Sequence, residues 1–209
     1  MITACDEGAE ILADYTKTLA DFEFVTPVES YDHMGATITD AVLQAGINYE
    51  TVVEPRVNNL LKNYPEAATL DGFSRLLDEK GIDSFFEWKK GDRKLKTIEA
   101  IIDLFQSEGI QDEKQLKEWL AKDQNISQLL DVYGIGNKTV DYLKILVGYE
   151  NSVAVDVHLK NFIKRSGIQI NGNDYKSASD IISKAAELLG VTQNIFDHSI
   201  WRYMRSIEK

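Results

Sequence analysis

Apolar residues return every three or four positions in one segment after another, and that rhythm commits nearly the whole chain to helices. Ile38, Val42, Leu43 and Ile47 open the series, followed by Val57, Leu60 and Leu61 and then Phe73, Leu76 and Leu77. Leu95, Ile98, Ile101, Ile102 and Phe105 extend it, as do Leu116, Trp119, Leu120, Ile126, Leu129 and Leu130. Segments 139–147, 156–166, 177–189 and 193–206 keep the habit. A strand ladder would need alternation with a period of two, which the chain lacks, so the expected fold class is all-α. Helix lengths vary without a fixed period, which excludes a solenoid. In "TITDAVLQAG" (37–46) Thr37 or Thr39 can cap a helix and Gly46 can end it, so a helical core is expected from residue 37. The acidic "DFEFVTPVES" (21–30) reads as an extended connection.

Composition limits the partners. With 209 residues, 44% of them hydrophobic, the chain can pack one compact unit or two small lobes. Cys5 is the one cysteine, which excludes a disulfide framework and any zinc or iron–sulfur site needing several thiolates; no metal is expected. No apolar run approaches the roughly 20 residues of a bilayer-crossing helix, and no cationic-then-apolar signal opens the chain; a cytoplasmic, nucleoid-associated monomer with no membrane partner is expected.

The net charge of −11 argues at first against a polyanion partner. Its distribution weakens that objection. Residues 1–54 carry eleven acidic side chains and one lysine, whereas the rest is near balance, with 22 basic and 23 acidic residues. "KKGDRKLK" (89–96) has five basic residues and one acid, and Lys138, Lys144, Lys160, Lys164 and Arg165 follow. A local basic face is compatible with this pattern, as is a set of solvated charges.

The chemistry concentrates in "VYGIGNKTV" (132–140) and "VAVDVHLKNF" (153–162). Gly134 and Gly136 around Ile135 allow a tight turn with an apolar plug between two helices, a helix-hairpin-helix over about 126–148. Backbone amides at Gly134, Ile135, Gly136, Asn137 and Thr139 then suit a DNA backbone phosphate. A plain turn between helices fits the same residues. Lys138 stands in the first turn of the second helix, where the dipole disfavours a cation. It is either a solvated lysine or, with desolvation, a neutral amine able to attack carbon. Asp156 breaks an apolar run at a helix start, where N-cap and transition-state stabiliser are compatible roles. His158 and Tyr133 are supporting candidates. His33 and His198 are isolated, and Trp88, Trp119 and Trp201 are expected in the core.

These residues resemble a known family. "VYGIGNKTVDYLKILVG" followed by "VAVDVHLKNFIKR" is similar to the hairpin and aspartate region of the helix-hairpin-helix (HhH-GPD) base-excision DNA glycosylases, most closely the endonuclease III branch. Lys138 falls on that family's Schiff-base lysine and Asp156 on its catalytic aspartate. The specific part covers about 129–165; a weaker likeness spans most of 37–204. The resemblance implies two helical lobes with a catalytic cleft between them, one of residues 37–149 and one of 1–36 plus 150–209. It implies a glycosylase with β-elimination lyase activity on duplex DNA holding a damaged base or abasic site, with no cofactor.

Departures accompany the matches. The prototype's four-cysteine iron–sulfur loop has no counterpart, Val132 and Tyr133 replace Leu-Pro, and Val140 replaces Ala. Gly46 stands near the place of a glutamine that fills the gap left by an extruded base. Which lesion is excised does not follow from the residues. Two other readings fit: a glycosylase without lyase activity, acting on an alkylated or mismatched base, and a noncatalytic helix-hairpin-helix DNA-binding protein.

Overall fold

The computed structural model describes residues 4–27, 30–170 and 174–207. The described residues form twelve α-helices, a π-turn at 49–53 and a 3-10 turn at 65–68, with no strand among them, so the fold is all-α as the apolar rhythm requires. They divide into two compact units, one of residues 29–148 and one of 1–28 with 149–209.

The first of these is built around α2 (Met34–Leu43), whose ten residues are all buried. It packs against α3 (Glu54–Asn63), α4 (Leu70–Lys80), α6 (Arg93–Ser107) and α9 (Asn137–Leu146). Its cap is neither Thr37 nor Thr39, which lie inside the helix. His33 Nδ1 accepts from the Ala36 amide at 3.1 Å, and His33 Nε2 lies 3.0 Å from the Tyr64 carbonyl oxygen. The helix therefore starts three residues before the expected 37.

A second anchor holds the same entry. The buried carboxylate of Glu113, in α7 (Glu113–Leu120), accepts from the amides of Asp32 and His33, each at 3.1 Å, and from the hydroxyls of Ser30 and Thr37. Those bonds assign residues 30–36 to the α2 unit, not to the other lobe. Trp119 is core as expected, its Nε1 donating to Glu108 at 2.9 Å; Trp88 and Trp201 are half-buried under arginines instead. The short α5 (Ile82–Phe85) and α8 (Asp123–Asp131) complete this unit.

The other unit packs α1 (Ala4–Thr18) on α11 (Tyr175–Leu189), and α10 (Val157–Arg165) on α12 (Gln193–Ile207). Leu12, Phe162, Ile182, Phe196, Ile200 and Met204 are buried in its core. The expected connection has no regular secondary structure over 22–27: Phe22 packs on Phe162 and Tyr203, and the Val25 amide donates to Ser199 at 2.9 Å. Residues 28 and 29 of that stretch lie outside the described residues.

Candidate active site

Helix α8 ends at Asp131 and α9 begins at Asn137, leaving a five-residue turn at 132–136. Gly134 has φ +98°, a conformation L side chains rarely adopt, and a Cβ there would collide with Oγ1 of Thr97. That hydroxyl lies 2.9 Å from the Tyr133 carbonyl and 3.0 Å from that of Arg93, so the turn is fastened to the first turns of α6. The Arg93 guanidinium covers the Tyr133 ring at 4.6 Å, and Tyr133 is 70% exposed. The basic segment at 89–96 and the 132–136 turn are thus brought together.

Gly136 is the N-cap of α9 and supplies no side-chain cap; a Cβ there would meet nothing within 4 Å. The first amides of a helix have no intrahelical partner, so this end can accept an external anion. Asn137 is exposed and Ile135 half-buried, with the Ile135 amide bonded to Val132. Thr139 is withdrawn from the expected binding set: it is 8% exposed, and its amide bonds to the Gly136 carbonyl.

Lys138, half-buried, donates from Nζ to Oε1 of Gln44 at 3.2 Å. Gln44 caps the C-terminus of α2, one turn beyond Asp40. Asp40 is wholly buried, and its Oδ2 accepts from Tyr31 (2.8 Å), Tyr142 (3.2 Å) and Tyr49 (3.4 Å). Its Oδ1 and the Nε2 of Gln44 are buried with no hydrogen-bond partner. Burial pushes the Asp40 carboxyl up to about 6, against the opposing pull of the three phenols and the Lys138 charge. Burial first, and Asp40's charge second, push the phenols of Tyr31, Tyr49 and Tyr142 up in turn. This cluster can hold a proton near neutral pH beside an amine.

In the other unit, Asp156 caps α10, Oδ1 accepting from the Leu159 amide at 3.0 Å. The buried segment before it is held by Asp197, which accepts from the Ala154 amide at 2.7 Å, and by Tyr175, whose hydroxyl donates to the Val153 carbonyl at 3.1 Å. His158 lies half-buried in the first turn of α10, and Val157 is exposed. The Asp156 carboxylate is therefore fixed by its own helix end.

A family model described as a domain of unknown function, DUF8548, matches residues 10–205. The chain belongs to the DUF8548 family. No curated protein matches it. Among the described residues of this DUF8548 protein, no group of three or more His, Cys, Asp or Glu is arranged to hold a metal ion, and no helix is long and apolar enough to cross a membrane. Sequence reasoning missed Asp40 and Gln44 in this candidate site. The available signal was the pair Asp40 and Gln44, polar residues four apart on a helix that is otherwise apolar or small.

Proposed function

We propose that this DUF8548 protein is a base-excision DNA glycosylase with abasic-site lyase activity. The observation that carries the reading is the amine of Lys138: it is tethered by Gln44 in the first turn of α9, a helix whose N-cap, Gly136, supplies no side-chain bond to its first amides. A nucleophile thus stands next to an end suited to a phosphate. On this reading α8, the turn and α9 are a helix-hairpin-helix, with Gly136 and Asn137 gripping the backbone and Tyr133 and Arg93 flanking it.

The DNA partner would present a damaged nucleotide extruded from the stack, at a cost of a few kcal/mol that is least where pairing is already weak. The Lys138 nitrogen lone pair forms a bond to the anomeric carbon, and the base leaves with the glycosidic electron pair. Asp156 stabilises the positive charge that develops on the sugar. The nitrogen gives up a proton and the ring oxygen takes one as the C1′–O4′ bond breaks, giving the iminium; loss of a C2′ proton then supplies the electron pair that breaks the C3′–O bond and releases the phosphate. The reading needs no cofactor.

Borohydride trapping on a duplex with one abasic site tests the reading. Wild type should form a covalent adduct that Lys138→Ala loses. A folded wild type that forms none overturns lyase activity; release of a damaged base would then favour a monofunctional glycosylase. A noncatalytic DNA-binding module is the second reading, favoured by the N-cap bond that already accounts for Asp156. It expects neither adduct nor base release.

A further inference from the structure

Among the described residues Tyr133 is the most exposed large hydrophobic side chain, at 70%. A lone exposed tyrosine is ordinary surface; its setting here is not. Its carbonyl accepts from the Thr97 hydroxyl at 2.9 Å, and the next residue, Gly134, sits at φ +98° against that same hydroxyl. The backbone that carries the ring is therefore fixed. The Arg93 guanidinium lies over the ring, 4.6 Å from its centroid. Among the described residues, neither that guanidinium nor the Tyr133 hydroxyl makes a hydrogen bond or an ion pair.

We propose that Tyr133 and Arg93 form a platform for an unstacked nucleotide: the ring stacks on a base that has lost a neighbour, and the guanidinium grips the adjacent phosphate. The inference rests on the DNA-binding half of the reading above and needs no lyase step. Every nucleobase has a π-face, so an open aromatic ring takes any of them. In a regular duplex both faces of each base already lie against neighbours, and the ring gains contact only where the stack is broken. An extruded or missing base breaks it, as does a single strand. A guanidinium can lie on a ring and still donate from its edge to phosphate oxygens, because its donors lie in its own plane. Fixing the ring before binding spares the cost of ordering it.

The neighbouring charged groups leave Arg93 available. Asp92 accepts from the Lys94 amide at 2.9 Å as the cap of α6, and the Lys94 amine is spent on the carbonyls of Val42 at 3.0 Å and Leu43 at 2.9 Å. Asp131, at the end of α8, is exposed and does not pair with Arg93. Tyrosine and arginine also anchor protein interfaces, but there an apolar rim seals them from water. The exposed residues of 133–137 are Tyr133, two glycines and Asn137, which set the ring among backbone and an amide side chain. That surrounding suits a nucleotide.

The test is fluorescence anisotropy with three labelled DNAs: an unmodified duplex, the same duplex with one tetrahydrofuran abasic analogue, which cannot be cleaved through a Schiff base, and its single strand. Wild type should bind the abasic duplex more tightly than the unmodified one. In Tyr133→Ala the ratio of those two affinities should fall about tenfold, and Tyr133→Phe, which keeps the ring, should restore it. Tyr133→Leu, apolar but without a π-face, should lose it too, and replaces Tyr133→Ala should that variant not fold by circular dichroism. Arg93→Gln should lower the slope of log affinity against log salt by about one, as a lost phosphate contact does. A Tyr133→Ala loss confined to the abasic duplex assigns the ring to the gap beside the missing base; an equal loss on the single strand assigns it to any unstacked base. Either supports the platform. A ratio held within about twofold in Tyr133→Ala or in Tyr133→Leu overturns it with DNA binding intact, as does wild type without preference between the duplexes. Wild type that binds none of the three DNAs removes the DNA-binding reading itself and this inference with it.

Discussion

Lys138 donates to Gln44 across 94 positions of sequence, and this 3.2 Å bond ties the first turn of α9 to the C-cap of α2. Nothing local places either residue; α2 and α9 must pack before the two meet. The amide oxygen orients the amine by accepting one hydrogen bond from it.

That bond predicts the effect of Gln44→Ala. Without its acceptor the Lys138 amine loses its fixed place, so on the lyase reading trapping should fall about tenfold. Equal trapping by both proteins would separate Gln44 from the placement of the amine. Thermal unfolding serves as the check that the variant is folded.

Asp40 predicts a pH-dependent stability. Its folded-state value is raised from 3.8 to about 6, so the folded protein binds more protons than the unfolded chain between those values. The contribution is fully present below pH 3.8 and is lost as pH rises through about 6. Against Asp40→Asn, wild type should lose about 2 kcal/mol of unfolding free energy between pH 4 and pH 7. Urea unfolding at both pH values measures it, and parallel curves for the two proteins would refute it.

The two glycines of the turn separate by their surroundings. Gly134→Ala meets both a positive φ and the Thr97 hydroxyl, and should destabilise by roughly 1–3 kcal/mol. Adding Thr97→Ala should recover the steric part and leave the φ strain. Gly136→Ala, at φ −134° with open space around it, should stay within about 0.5 kcal/mol of wild type. Thermal denaturation of the three variants orders them.

Asp156 serves as a cap whatever else it does. Asp156→Ala should cost about 1 kcal/mol through the lost bond to Leu159, whereas Asp156→Asn, which still caps, should cost only a few tenths. On the glycosylase reading both variants lose base excision. An Asp156→Asn protein that excises at the wild-type rate would confine the residue to capping.

The all-α class is legible in the sequence because apolar spacing is a local property. So are the 132–136 turn and the start of α9, where two glycines bracket one apolar residue. Helix α1 is less legible: its buried positions include Ala9 and Ala13, too small to mark a face among its acids. The start of α2 is hidden because His33 caps it, and a histidine cap draws its sense from Tyr64, 31 positions on. Glu113, Asp40 and Lys94 carry the same lesson. Each is a polar side chain with a partner in a distant segment, Tyr142 in the case of Asp40, and no short window of sequence contains both ends of such a bond.

Helix α2 has no residue facing solvent. Its backbone amides can therefore exchange deuterium only when the unit around it opens, which makes it the slowest-exchanging segment of that unit. Asp40 and Gln44 ride on it. The groups nearest the candidate nucleophile are thus mounted on the part of the chain that breathes last, while the turn that would meet a ligand lies at the surface, where opening costs least.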